Sequence, residues 1–368
     1  MLLRLKVRNF KNFKEEIVLD FSNTKEEYDF NHDAIRNGII KNAIIFGENA
    51  AGKTNIGYAI FDIVLHLTER NRKASAYRHY SNLYTDDNRV YFEYTFKLSD
   101  SILVYEYVKN SSTQVLEERI IIDGKEVIVN QGRKRMVNLR GAESLNLDFW
   151  DNSISFVKYI YSNTILDKQD KMCKAFLEFF HFVLNMIWFS STEGNNYMGF
   201  SNQHGSICEC ILEVADVKEY QGFLGNMGIE YDLTVKDEGD TQNIYSVYQD
   251  KEVPLEQIWS SGTRALSFMF LWYIQVQKMS FVFIDEFDAF YHHELAENIV
   301  QMMIKTEAQV VLTSHNTDLM SNDLLRPDCY FELKKDKICS LADETSKALR
   351  RAHNLQKMYK AGAFNERT

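Results

Sequence analysis

The stretch "NAIIFGENAAGKTN", residues 42–55, constrains this chain more than any other. A short aliphatic run ends at Gly47, and a loop with a second glycine leads to Lys53 and Thr54. Ile56, Ala59, Ile60, Ile63, Val64 and Leu67 then recur at helical spacing. Strand, glycine loop and helix are in the order needed for backbone N–H groups to converge on a phosphate at a helix N-terminus. The loop fits G-x-x-x-x-G-K-[ST], with Gly47, Glu48, Asn49, Ala50, Ala51, Gly52, Lys53, Thr54 and Asn55 as nucleotide-binding candidates. In this motif the lysine reaches the β- and γ-phosphates and the Thr54 hydroxyl a Mg²⁺ ion.

A chain with that loop needs a carboxylate pair, and "SFVFIDEFDAF" supplies one. Phe281–Ile284 reads as a buried strand that delivers Asp285 and Glu286 at its carboxyl end, where α/β sheets place ligands. Asp285 is expected to hold the metal shell and Glu286 to polarise a water. "QVVLTSHN" is another apolar strand, ending in Thr313, Ser314 and His315. His315 is expected to sense the γ-phosphate. "WSSGTRAL" opens a long apolar helix with Ser260, Ser261 and Gly262, a second phosphate-reading helix N-terminus. Taken alone, that segment reads equally well as a serine N-cap followed by glycine.

Elsewhere the pattern is coarser. Residues 2–21 read as two strands with a turn between them, and residues 89–130 as an antiparallel meander with an Asp-Gly turn. Residues 165–190 have helical spacing throughout, "YDLTVK" and "IYSVYQ" pair as strands, and a polar helix starts near residue 344. The expected fold is α/β, a single unit over 1–368. Its lobes are a glycine-loop core with the antiparallel meander (1–160), a helical insertion (161–225), and a lobe carrying the other three motifs (226–368).

Composition excludes more than it identifies. With 45% hydrophobic and 26% charged residues the chain can bury a sizeable core, and no window resembles a signal peptide or a membrane span, so a cytoplasmic location is expected. The net charge of -10 gives no global attraction to DNA or RNA, which leaves two local basic stretches, Arg70–His79 and Arg133–Arg140. Five scattered cysteines do not make a disulfide framework. Cys208 and Cys210 would share a face on an alternating strand, but no second ligand cluster stands near them in sequence.

The ordered set "GENAAGKT", "WSSGTR", "FVFIDE" and "LTSHN" resembles the ABC-type ATPase heads of the SMC, RecF and OLD group, as their Walker A, signature, Walker B and switch histidine. The opening "LRLKVRNFKNF" looks like that group's first strand and turn, and the late "RRAHNLQKMYKAGAFNE" is similar to the tail of bacterial standalone AAA15/AAA21-type ATPases. The resemblance implies ATP and Mg²⁺ as cofactors, catalysis by Glu286, His315 and Lys53, and metal on Thr54 and Asp285. It implies a head-to-head homodimer in which Ser260, Ser261 and Gly262 complete the partner's ATP site, with a higher oligomer left open. It further implies control of a separately encoded effector, a nuclease or toxin, in anti-phage defence. A RecF-like ATPase acting on DNA and a slowly hydrolysing ATP-locked scaffold are the alternatives.

The sequence departs from that group in places. The signature reads S-S-G-T-R where many relatives carry S-G-G followed by Gln or Glu, so Arg264 adds a charge that the generic pattern lacks, and no Q-loop glutamine can be placed. His292 aligns with the histidine that follows Walker B in the group, and His292 and His293 read as helix-start residues rather than metal ligands.

Overall fold

The computed structural model of the chain describes residues 1–68, 77–147, 154–190, 196–198, 206–239 and 241–364. In chain order, β1 (Leu2–Arg8) and β2 (Ile17–Asp20) form a hairpin, β3 (Ile35–Arg36) and β4 (Ile39–Ile40) a short ribbon, and β5 (Asn42–Gly47) leads through the glycine loop into α1 (Lys53–Leu67). The meander follows as β6 (Val90–Lys97), β7 (Ile102–Lys109), β8 (Val115–Ile122), β9 (Lys125–Gln131) and β10 (Lys134–Val137). Helices α2 (Phe156–Asn163) and α3 (Lys171–Leu184) precede β11 (Met186–Ser190) and β12 (Asn196–Met198). Then come α4 (Ile207–Val214), α5 (Val217–Asn226), and a small sheet of β13 (Leu233–Glu238), β14 (Thr241–Tyr248) and β15 (Lys251–Pro254). The last part holds α6 (Leu255–Ile258), α7 (Ser261–Val276), β16 (Phe281–Asp285), α8 (His293–Ile304), β17 (Gln309–Thr313), the hairpin β18 (Tyr330–Lys334) and β19 (Lys337–Ser340), and α9 (Leu355–Lys360).

Two large sheets organise these elements. One is antiparallel, in the order β10-β9-β8-β7-β6-β1-β2. Its β8–β9 turn places Asp123 and Gly124 at φ 48° and 78°, the left-handed pair that a two-residue hairpin turn requires. The other runs β12-β11-β16-β17-β5-β18-β19, parallel from β11 to β18 with antiparallel edges. Both β16 and β17 are buried along their whole length, which explains why they read as unbroken apolar runs rather than alternating ones. All the parallel strands end at one edge, and that edge carries Ser190, Asp285, Thr313 and Gly47.

Helix α1 lies between the sheets. On one side Gly57 lets it approach β16 so closely that a Cβ there would stand 2.5 Å from the Phe283 ring. On the other, the fully buried Asp62 carboxylate accepts from Lys109 Nζ, Tyr107 and Tyr80, each at 2.9 Å, which satisfies a charge that would otherwise be costly to bury. Gln309 joins the two sheets directly. Its amide donates to Leu2 and Ile40 carbonyls and accepts from the Leu2 N–H.

Three expectations fail. Residues 186–190 are not the end of a helix; α3 stops at Leu184 with Asn185 as C-cap, and "MIWFS" becomes β11 by pairing in register with β16 from Met186↔Phe281 to Ser190↔Asp285. Tertiary pairing decides a short apolar run that periodicity cannot classify. Cys208 and Cys210 sit on α4, whose start is a capping box between Ser206 and Glu209, so two residues' separation turns them to different sides. They are free and buried, and burial beside Glu256 pushes the Cys208 thiol up to about 12. The terminal helix begins at Leu355, not near 344, since Lys334 and Lys337 tie Glu344 down and Asn322 donates to the carbonyls of Arg350, Arg351 and His353. No helix among the described residues is long and apolar enough to cross a membrane.

Candidate functional site

The glycine loop is shaped by its own backbone demands and by a residue far from it in sequence. Gly52 has φ 108° and Ala50 φ 63°, both left-handed. A Cβ on Gly52 would meet the Asn12 side chain at 2.5 Å, and one on Gly47 would meet the Leu333 carbonyl at 2.7 Å. Asn12, in the turn between β1 and β2, donates to the Ala51 carbonyl at 3.0 Å and accepts from Asn55 Nδ2 at 2.6 Å. It staples the loop from outside, a role the sequence reading missed. The only signal was the asparagine-rich turn "RNFKNF", where Asn9 and Lys11 adopt positive φ.

Lys53 and Thr54 open α1, and the remaining side chains come from the carboxyl ends of neighbouring strands. Lys53 Nζ donates to the Gly47 carbonyl at 2.8 Å, the Glu48 carbonyl at 3.3 Å, and lies 3.2 Å from His315 Nδ1. Burial lowers its pKa, opposed by the charges of Glu286, Asp285 and Asp288. Thr54 donates to Asp285 Oδ2 at 2.7 Å, and Thr313 donates to Asp285 Oδ1 at 2.6 Å. The Thr313 hydroxyl also accepts the Glu286 N–H at 2.8 Å. Glu286 stands at φ 48°, a left-handed turn that costs a non-glycine residue roughly 1–2 kcal/mol and is held by this bond. Its Oε1 lies 3.6 Å from His315 Nε2, with both side chains partly exposed. Lys53, Thr54, Asp285, Glu286 and His315 are therefore one connected set.

Thr313 and Asp288 are further members that the motif reading did not single out. Asp288 accepts from Ser314 at 2.8 Å, and burial raises its pKa.

A hard divalent cation fits here. Thr54 and Asp285 offer oxygen donors, and Ser190, in register beside Asp285 and only 4% exposed, has a hydroxyl without a hydrogen-bond partner among the described residues. Among the described residues no group of three or more His, Cys, Asp or Glu is placed to hold a metal. Mg²⁺ suits such a site, since it takes one or two protein oxygens and completes its shell with water and phosphate.

Beside the loop opens a cleft of about 890 Å³. Glu48, Asn49, Ala50, Ala51 and Asn55 form one wall, Lys11 and Asn12 another, and Arg78, His79 and Asn82–Tyr84 a third. Glu332–Lys335, Tyr359 and Phe364 close the side opposite, with the Tyr359 hydroxyl donating to Glu332 at 2.8 Å.

Ser260, Ser261 and Gly262 are not part of this cleft. Ser260 caps α7, its hydroxyl accepting the Thr263 N–H at 3.0 Å, and Ser260, Ser261 and Arg264 are exposed. His292 caps α8, and His293 lies 3.3 Å from Glu297. Of the basic stretches, Arg70 and Arg72 lie outside the described residues, and Arg78 and His79 line the cleft. Lys134 pairs with Glu126, Arg135 donates to the Leu147 carbonyl, and Arg140 pairs with Asp167. Much of that second stretch is engaged within the chain.

Residues 222–321 match the family described as "AAA domain, putative AbiEii toxin, Type IV TA system". No curated protein matches. Similar solved structures include an SMC head domain from Thermotoga maritima, 14% identical, covering 92% of this chain and 98% of that one at a TM-score of 0.45. An SmcHead bound to the C-winged helix domain of ScpA is 13% identical, covering 92% and 97% at 0.46. An Smc head with an extended coiled coil, bound to the C-terminal domain of ScpA derived from Pyrococcus furiosus, is 12% identical and covers 98% of both chains at 0.45.

Proposed function

We propose that this chain is an ABC-type ATPase head that binds ATP with Mg²⁺ and hydrolyses it. The observation that carries the reading is the connected set at the carboxyl edge, in which Lys53, His315 and Glu286 adjoin one another and Thr54, Asp285 and Thr313 share hydrogen bonds. Backbone N–H groups of Glu48–Gly52 and Asn55 take the phosphates. Lys53 exchanges the loop carbonyls for β- and γ-phosphate oxygens. Glu286 accepts the proton of the attacking water, and His315, lying against both Lys53 and Glu286, binds the γ-phosphate and registers its loss. Thr54 and Asp285 hold Mg²⁺, which when bound neutralises charge on the β- and γ-oxygens. Steady-state phosphate release from ATP, abolished by EDTA, is the test; a pure chain that binds ATP·Mg²⁺ and releases nothing would leave only the scaffold alternative.

Burial holds the Asp285 proton above the ordinary 3.8, with the charge of Glu286 acting in the same direction. Cation binding needs the ionised carboxylate. Mg²⁺-dependent ATP affinity should therefore rise with pH until Asp285 is fully ionised and level off above that. Without ligand the linkage is reversed: the folded state keeps a proton that the unfolded state has released, so stability falls as pH rises through the same pKa. Titration calorimetry across pH checks the first part, and Asp285→Asn should flatten the slope.

The signature residues are proposed to act on a second copy. Ser260 and Ser261 are exposed and Gly262 is half-buried at a helix N-terminus outside the cleft beside the glycine loop, where a partner's γ-phosphate is a suitable ligand. A homodimer closed over two ATP molecules, opened by hydrolysis, would be the mechanical output. The matching family's description names a putative toxin of a toxin–antitoxin system, which is a two-component setting; we extend it to control of a separately encoded effector, nuclease or toxin, in anti-phage defence. Co-purification with the products of neighbouring genes, with and without ATP, tests this; association that ignores nucleotide would count against it.

A further inference from the structure

The cleft beside the glycine loop is lined by the glycine-loop residues with Lys11, Asn12 and Asn55, and also by Leu83, 72% exposed, and Tyr84, 88% exposed. Two large apolar side chains so far exposed add little to the packing of this chain. Yet the turn presenting them is anchored. Asn82 is only 3% exposed; its Oδ1 accepts the Tyr84 N–H at 2.9 Å, its Nδ2 donates to the Lys11 carbonyl at 2.7 Å, and its own N–H donates to the Asn9 carbonyl at 3.2 Å. The hairpin turn that receives these bonds is the one from which Asn12 staples the glycine loop. Tyr84 is thus fixed relative to the phosphate-binding backbone through a single turn.

We propose that Tyr84, backed by Leu83, stacks on the base of the nucleotide whose phosphates the glycine loop holds. The inference rests on the ATP reading above. An aromatic face accepts any base but gains more from a two-ring purine than from a pyrimidine, and it gains nothing from a phosphate chain. Tyr84 is then the residue through which the site distinguishes a purine nucleotide from polyphosphate alone.

The test measures ATP and inorganic tripolyphosphate binding to the full chain and to three variants. Tyr84→Ala should weaken ATP about tenfold and leave tripolyphosphate unchanged, whereas Tyr84→Phe should stay within about twofold of the parent for both. Tyr84→Trp should add a fluorescence signal quenched by ATP and not by tripolyphosphate. At such exposure the alanine variant should melt with the parent, which separates lost stacking from lost folding. Unchanged ATP affinity in Tyr84→Ala, or an equal loss for tripolyphosphate, overturns the proposal while leaving the ATP reading intact. A parent chain that binds neither ligand sinks both.

Discussion

Glu286→Gln should lower phosphate release by roughly 10²–10⁴-fold, the usual contribution of a positioned general base, while ATP binding survives. The substitution is nearly isosteric, and the geometry around it is set by the backbone rather than by the carboxylate. The Glu286 N–H is held by Thr313, and the next residue's N–H donates to the Thr313 carbonyl at 3.2 Å, so the left-handed turn persists with glutamine in place. What disappears is the proton acceptor, together with one negative neighbour of Lys53. Bound ATP then outlasts any normal turnover, and the closed dimer should accumulate, visible as a doubled mass in light scattering with ATP·Mg²⁺ and not with ADP. Rapid-quench and steady-state phosphate assays give the rate. Release at the parent's rate would remove Glu286 from the chemistry and leave His315 or an Asp285-held water as the place to look.

The parts of this site legible in sequence were those whose constraint is local. A glycine loop between a strand and a helix, and an Asp-Glu pair at the end of an apolar run, specify their chemistry within a dozen residues. The rest depends on neighbours across the sheet. Thr313 reads as a strand-end threonine until β17 lies beside β16 and its hydroxyl bridges Asp285 and the Glu286 N–H. Asn12 and Asn82 are turn asparagines until the first hairpin is folded against the glycine loop and the cleft wall. Strand β11 was hidden for a related reason: "MIWFS" follows a helix with only Asn185 as a stop signal, and its strand character is conferred by pairing with β16. In the tail, the polar stretch after 344 has helical composition, but Asn322 and the Glu344 ion pairs take up its polar groups.

Three glycines respond differently to a side chain, and the difference yields the sharpest test of a composite site. At Gly47 and Gly52 a Cβ would press on atoms of this chain at 2.7 and 2.5 Å, so their own fold demands glycine. At Gly262 the nearest atom to an added Cβ is the Phe290 carbonyl at 3.4 Å, an ordinary contact, and its φ is not positive. Nothing among the described residues excludes a side chain there. Gly262 lies in the first turn of α7, where replacing glycine by aspartate recovers about a few tenths of a kcal/mol of helix propensity and an acidic residue favours the dipole. Gly262→Asp should therefore melt at or above the parent temperature and still bind ATP at its intact glycine loop. It should nonetheless lose nearly all hydrolysis and ATP-driven dimerisation, since its carboxylate would face the partner's γ-phosphate. Lys53→Ala should be inactive for the complementary reason, with its signature intact. Mixed in equal amounts, the two inactive chains should regain about a quarter of the parent rate per chain if pairing is random, and up to about half if only mixed pairs close, because each mixed pair has one complete site of two. Recovery in that range places Ser260–Gly262 on the partner's nucleotide. A mixture as inactive as its components, or a Gly262→Asp chain that hydrolyses alone, would return the signature to the role of a simple helix cap.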